Sequence, residues 1–263
     1  MELLDRLSGV IAVHPAVLVA YSGGVDSALV AKVAFDLLEE KSVALTALSP
    51  SFPSYYREET RRVARWIGIR HLIAESKELE DPNYRANPVN RCYFCKTELY
   101  SLCERMAGEL GIPVVLNGFN RDDQSDWRPG FTAQKEFQVR SPLLEAGMGK
   151  DEVRKLAQAL GLPIWDKPAS PCLSSRFPYG TTIDERKLKQ VDTVESFLHA
   201  NGLREFRARY FGEEVRLELG PEERRRFEEQ GFRDSVAQLC RSAGFQTMTV
   251  DSDGIRSGRF NPL

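Results

Sequence analysis

The apolar positions along the chain fall into short runs separated by polar loops, and the first two runs set the frame. Residues 17–21 (Val-Leu-Val-Ala-Tyr) are apolar or aromatic without alternation, which predicts a short buried strand. Residues 28–38 (Ala-Leu-Val-Ala-Lys-Val-Ala-Phe-Asp-Leu-Leu) predict a helix largely buried in the fold. Between them stands Ser22-Gly-Gly-Val-Asp-Ser27, with Asp26 just ahead of the helix. The pattern then repeats. Residues 43–48 and 71–74 predict strands, and 55–67 a charged helix with Val63, Ala64 and Ile67 as its apolar stripe. Residues 95–110 predict a helix, 113–118 a fourth strand, and 2–7 a short amphipathic helix ahead of the first. β-α-β-α-β order at this spacing predicts an α/β fold with a parallel sheet and right-handed crossovers. Parallel strands put their carboxyl ends on one edge, so Ser22, Ser49 and Gly118 are expected to open onto one crevice.

Elsewhere the pattern weakens. Residues 81–91 hold two prolines and three asparagines and read as loop. Residues 119–142 are polar and irregular, and a loop of that length is functional or disordered. Its acids Asp122, Asp123 and Asp126 fit either a magnesium site at a polyphosphate or a solvated turn. After a helix over 150–160, three prolines and a glycine make 165–180 a linker that can also carry site residues. Thr182-Ile-Asp-Glu185 reads as a capping box opening a helix with Leu188, Val191, Val194 and Leu198 on one face. Paired strands over 206–211 and 215–219, helices over 222–230 and 234–243, and a strand over 246–250 complete a smaller α+β domain. The expected domains are therefore 1–165, the linker 166–180, and 181–263.

The loop at 22–27 is where chemistry enters. Gly23 and Gly24 let the backbone turn tightly and approach a ligand, and the free amides of the next helical turn favour an anion. Ser22 and Ser27 add hydroxyl donors, so the loop suits a pyrophosphate. It lacks the Gly-Lys-Ser/Thr of the common phosphate loop and the Gly-x-Gly-x-x-Gly of a dinucleotide fold. It resembles the Ser-Gly-Gly-Val-Asp-Ser loop of the ATP pyrophosphatases, which cleave ATP between the α and β phosphates and adenylate a substrate oxygen. That resemblance implies ATP, with Mg²⁺, at Ala20, Ser22, Gly23, Gly24, Asp26, Ser27, Ser49 and Gly118, and a catalytic role for Asp26.

Composition narrows the setting. The chain has 263 residues, 28% charged, with formal charge −2, so there is no global electrostatic footprint for nucleic acid. No apolar run approaches the ~20 residues that span a bilayer, and the acidic N-terminus is unlike a signal peptide. The expected location is the cytoplasm. Five cysteines, an odd number, do not make a disulfide scaffold in a chain this long.

Cys92-Tyr-Phe-Cys95-Lys96 has a spacing that serves redox dithiols, zinc and iron–sulfur clusters alike. The redox use wants a thioredoxin-like context, and structural zinc wants four protein ligands. With Cys172 in the linker, three thiolates and an open fourth position suit a [4Fe–4S] cluster. The competing account is two small buried hydrophobes at a helix start, the role expected of Cys103 and Cys240. Arg207 and Arg209 lie two apart on a strand and project from one face, which suits a phosphate or carboxylate. Glu218 on the facing strand is a candidate partner in a surface salt bridge. Ser174, Ser175, Arg176, Arg256 and Arg259 add anion donors.

Several segments together resemble one family. Pro-Ala-Ser-Pro-Cys-Leu-Ser-Ser-Arg-Phe-Pro-Tyr-Gly-Thr-Thr around Cys172, Asp126-Trp-Arg-Pro-Gly130, Arg207-Ala-Arg209 and Arg256-Ser-Gly-Arg259 are similar to LarE proteins. The likeness covers essentially the whole chain. That family is the ATP-dependent sulfur transferase of nickel-pincer nucleotide biosynthesis, the cofactor of lactate racemase. It implies that pyridinium-3,5-biscarboxylic acid mononucleotide is adenylated on a ring carboxylate and converted to a thiocarboxylate, twice in all. It also implies that Ser175, Arg176, Arg207, Arg209 and Glu218 bind the substrate phosphate or shape its pocket. Some members surrender the sulfur of one linker cysteine and are left with dehydroalanine. They lack the Cys-x-x-Cys pair and carry that cysteine one residue earlier, where this chain has Pro171. Cys92, Cys95 and catalytic Cys172 instead look like the branch whose [4Fe–4S] cluster carries a labile sulfide. The partners implied are a small-molecule nucleotide and further copies of the chain, with neither nucleic acid nor membrane. The alternatives are a tRNA thiolation enzyme with the same loop and cysteines, an amide-forming NAD or GMP synthetase, and a nucleotide-binding regulatory module.

Overall fold

The computed structural model describes residues 2–125, 129–256 and 258–261. Asp126, with Trp127 and Arg128 of its motif, and Ser257 lie outside the described residues. Contacts divide the chain into two compact units, 1–49 with 58–78 and 90–169, and 50–57 with 79–89 and 170–263.

The first unit is a parallel sheet between helices. Its strands are β1 (Val17–Ala20), β2 (Ser42–Leu48), β3 (Arg70–Glu75) and β4 (Val114–Leu116), in the order β3-β2-β1-β4. Its principal helices are α1 (Glu2–Ile11), α2 (Val25–Leu38), α3 (Arg57–Ile67), α4 (Arg91–Leu110), α5 (Gly130–Glu136) and α6 (Lys150–Ala159). β1 lies inside the sheet, Val19 opposite Ala44 on one side and Leu116 on the other. Its side chains alternate between two cores. Val17 and Val19 pack with Leu7, Leu29, Val30 and Leu156, while Leu18 and Ala20 pack with Leu45, Leu102 and Cys103. That two-sided burial is why the strand reads as continuously apolar. The chain moves outward from β1 to β2 and β3, then returns to β4 on the other side. The strand order therefore reverses beside β1, where open α/β sheets bind ligands.

The second unit is built on an antiparallel pair, β5 (Phe206–Phe211) and β6 (Glu214–Leu219), with β7 (Thr247–Val250) parallel to β6. Its helices are α7 (Glu185–Ala200), α8 (Pro221–Phe227) and α9 (Gln230–Ser242). Residues 79–89 belong to this unit because their polar groups are satisfied there. Tyr84 Oη meets Ser174 Oγ at 2.6 Å, Gly180 N donates to Asn87 O at 2.9 Å, and Ile183 N donates to Arg85 O at 2.8 Å.

Three local expectations are corrected. The N-cap of α7 is Asp184, whose carboxylate accepts from Lys187 N at 2.8 Å, not Thr182. Residues 81–91 are not all loop, since Asp81 caps a helical turn at Pro82–Arg85. α2 begins at Val25, which places Asp26 inside its first turn rather than ahead of it.

Candidate active site

The loop after β1 is held open by its own hydroxyls. Ser27 Oγ donates to Gly24 O at 3.1 Å, accepts from Ser22 N at 3.2 Å and lies 3.1 Å from Ser22 Oγ. Gly24 stands at the N-cap of α2 with extended backbone and makes no side-chain capping bond to the first amides. Gly23 turns at φ +75°, and a Cβ there would stand 2.2 Å from Thr60 Oγ1. Both facts require glycine. Gly118 is needed for another reason: a Cβ would come within 2.7 Å of Ser27 N. It lets the segment after β4 touch the mouth of α2. Ser49, just past β2, donates its hydroxyl to Glu78 Oε1 at 2.5 Å.

Asp26 is bound to a residue the sequence did not single out. Asn120 Nδ2 donates to Asp26 Oδ1 at 2.9 Å, and Asn120 N donates to Asp123 Oδ2 at 3.1 Å. Burial raises the Asp26 carboxyl above its ordinary value; the Asn120 amide lowers it and nearby Asp123 raises it again. Asp122 accepts from Lys150 N at 2.8 Å, which caps α6 from outside the helix. Asp123 is buried and Asp122 half-exposed, and both are anchored within the unit.

Cys92 and Cys95 share the first turn of α4, one exposed and one half-buried, at a spacing that puts them on one face. Lys96 follows, its ammonium 5.8 Å from the Tyr100 ring centre and 5.7 Å from that of Phe119. Burial opposes its charge, but the Tyr100 hydroxyl and the thiols of Cys95, Cys92 and Cys103 outweigh it and raise its pKa. Lys96 is a second residue without an assigned role in the sequence, although it adjoins the cysteine motif. Cys103 and Cys240 lie in apolar surroundings, and burial pushes each thiol up to about 12. Among the described residues, no three His, Cys, Asp or Glu side chains gather closely enough to hold a metal ion.

In the second unit the predicted anion donors form a buried ionic network. Cys172 precedes a 3₁₀ turn, Leu173–Arg176, that carries Ser174 and Ser175. Arg176 donates from Nε and Nη2 to the two oxygens of Glu195, at 2.8 and 2.9 Å, and from Nη1 to Ser175 Oγ at 2.8 Å. Glu195, fully buried, also accepts from Tyr55 Oη at 2.9 Å and Ala208 N at 2.8 Å. Its signal was an acid on the apolar face of α7, between Val191 and Leu198. Arg209 Nη2 donates to Glu218 at 2.8 Å and Nη1 to Ser175 O at 2.6 Å. This pair is buried, not at the surface as the competing account had it. Arg259 lies 2.7 Å from the other Glu218 oxygen and is bidentate to Asp251. Arg256, in contrast, pairs with Asp253 in solvent. Arg207 stands opposite Glu218 in the ladder. Burial first, then the charges of Arg176 and Arg209, bring its guanidinium down to about 10. Around Arg207 the balance of charge is positive, which favours an anion.

Among the described residues, no helix is long and apolar enough to cross a membrane. The α/β sheet and its glycine-turned loop make the first unit a PP-loop ATP pyrophosphatase domain. No protein-family model matches the chain. It is 47% identical over 244 residues to an uncharacterised protein of Synechocystis, covering 93% of this chain and 91% of that one. It is 38% identical over 246 residues to the pyridinium-3,5-bisthiocarboxylic acid mononucleotide synthase of Lactiplantibacillus plantarum, covering 93% and 88%. A weaker similarity, 26% over 220 residues, reaches a tRNA-specific 2-thiouridylase of Desulforamulus reducens, with 66% and 59% covered. The chain belongs to the LarE family.

Proposed function

We propose that the protein is an ATP-dependent sulfur transferase that makes a thiocarboxylate on pyridinium-3,5-biscarboxylic acid mononucleotide. A carboxylate is a poor electrophile, so the first step is attack of its oxygen on the α-phosphorus of ATP, releasing pyrophosphate and leaving an acyl-adenylate. The first amides of α2 and the hydroxyls of Ser22 and Ser27 would bind the phosphates. A sulfur nucleophile then displaces AMP from the acyl carbon, forming the C–S bond as the C–O bond breaks. The sulfur must be presented ~3–3.5 Å from that carbon. The observation that carries the reading is the loop itself, glycine-turned and uncapped at the sheet's switch point, in a chain of this family.

Asp26 fits a magnesium ion that accompanies ATP, because burial holds its carboxyl high where an added cation would favour the charged form. Cys92 and Cys95, thiols outside the apolar core on one helical turn beside a cation, would by the family likeness be joined by Cys172 as ligands of an iron–sulfur cluster, although the described side chains do not themselves gather as a metal site. Such a cluster would supply an exchangeable sulfide on its open iron. Arg207 and Arg209 would take the mononucleotide phosphate, while Arg176, committed to Glu195, would shape the pocket with Ser175 and Glu218. Five free thiols fit a reducing cytoplasm. The outer edge of β7 offers a sheet margin for self-association into a homo-oligomer.

The test is anaerobic purification with iron and sulfide analysis, then turnover and intact-protein mass spectrometry. The proposal expects about four irons per chain by the cluster stoichiometry, lost with Cys92→Ser, Cys95→Ser or Cys172→Ser but kept with Cys103→Ser. Colourless protein that loses one sulfur at Cys172 after a single turnover would show the sacrificial route instead. Thiolation of tRNA but not of the mononucleotide would favour the thiouridylase-like reading.

A further inference from the structure

Lys167 lies at the start of the proline-rich segment, in the part that belongs to the first unit. Its side chain is only 10% exposed, and its ammonium is held at the ATP loop. Nζ donates to Gly23 O at 3.3 Å and to Glu59 Oε1 in the first turn of α3. Gly23 is the residue whose positive φ makes the turn, so Lys167 touches the loop at its bend. Burial lowers the ammonium pKa and Glu59 works against that. A buried ammonium without an anion is costly, so this position requires negatively charged oxygen beside it. Here a carboxylate supplies it.

A phosphate presents the same kind of oxygen. Glu59 also has somewhere else to go, since its second oxygen lies 4.0 Å from Arg62, an exposed residue three positions along the same helix. Exchange would therefore strand neither charge.

We propose that Lys167 is a phosphate ligand of the ATP loop and that Glu59 occupies it until ATP arrives. A β- or γ-phosphate oxygen takes the ammonium, and the displaced carboxylate turns to Arg62. Glu59 is then a built-in competitor that sets ATP affinity. This rests on the loop being the ATP site.

The two residues give effects of opposite sign, which a purely structural tie does not. Affinity for α,β-methylene-ATP with Mg²⁺, measured by calorimetry, is expected to fall ~10- to 100-fold in Lys167→Met, the range for a charge-assisted hydrogen bond. In Glu59→Gln it is expected to rise ~3-fold or more, from removal of a competing charge. The double variant should match Lys167→Met, because Glu59 acts only through the lysine. AMP affinity should be unchanged in all three. If both single variants weaken the analogue alike, the pair is only a brace and the inference fails. Unchanged affinity in Lys167→Met also overturns it. If Lys167→Met shows no cooperative melting, Glu59→Gln decides alone, since tighter binding there has no structural explanation. Failure of the unmodified protein to bind the analogue would overturn both this inference and the ATP-loop reading; normal binding by the wild type with variants that depart from the pattern above sinks only the first.

Discussion

The two candidate sites of this chain would bind anions in opposite ways. In the first unit the loop from Ser22 to Ser27 offers backbone amides and hydroxyls, its carboxylate carried by Asp26 and its neighbouring cation already paired. In the second, Arg176, Arg207, Arg209 and Arg259 crowd around Glu195, Glu218 and Asp251, nearly all buried. Dipoles can be left uncovered at little cost because water solvates them. Buried guanidiniums cannot, so Arg176, Arg209 and Arg259 are each matched to a carboxylate, and the small excess of positive charge around Arg207 is the candidate binding site. The loop should therefore be functionally fragile and structurally tolerant, and the network the reverse.

The largest expected effect tests the network. Glu195→Gln should cost ~3–5 kcal/mol of stability by urea denaturation, the scale for stranding one partner of a buried pair, without changing ATP affinity. Asp26→Ala and Ser22→Ala should each reduce substrate-dependent pyrophosphate release by ~10²-fold or more, as loss of a preorganised anion contact does, while thermal melting stays near wild type. Comparable loss of stability in these loop variants would erase the contrast.

Next come the two arginines. Arg207→Ala or Arg209→Ala should weaken mononucleotide binding by ~1.5–3 kcal/mol and leave ATP binding intact. Arg209→Ala should be the less stable of the two, because it strands part of Glu218. Equal stability would mean that the ladder position, not the ion pair, holds Glu218 in place.

The smallest effect separates stability from function at one residue. Asp26 has a carboxyl raised by burial, so its contribution is greatest below the ordinary aspartate pKa and is lost as pH rises through the folded value. Asp26→Asn, which retains an acceptor for Asn120, should therefore be more stable than wild type at neutral pH. The advantage should vanish on acidification. Melting curves across pH would show it, and a variant uniformly less stable would mean that Asp26 is charged without penalty.

The loop was legible in the sequence because its parts are contiguous. A strand, two glycines and a helix follow within one stretch, and each residue acts where it stands. The partners that tune the site are distant: Asn120 lies 94 residues from Asp26, and Lys167 lies 108 from Glu59. Nothing local in either segment announces its partner. The pairing of Arg209 with Glu218 was foreseeable from facing strands, but its burial was not, since charged residues are usually solvated. The N-cap at Asp184 was missed because Thr182 and Asp184 both suit the role, and only the backbone of the preceding turn chooses between them.

The chain changes unit five times, at 49/50, 57/58, 78/79, 89/90 and 169/170. On the ribosome this fixes an order of completion. The first unit's residues have all been made once 169 emerges, while the second already owns two early fragments that must wait for the rest. Tyr55, whose hydroxyl ends on Glu195, waits for 140 further residues to be synthesised. Tyr84 waits for 90 before Ser174 exists to bond it. A nascent chain halted in the linker would thus display both segments unsatisfied. The second unit cannot be obtained by simply cutting the gene after residue 169, and the two units should be inherited, truncated and rearranged only together.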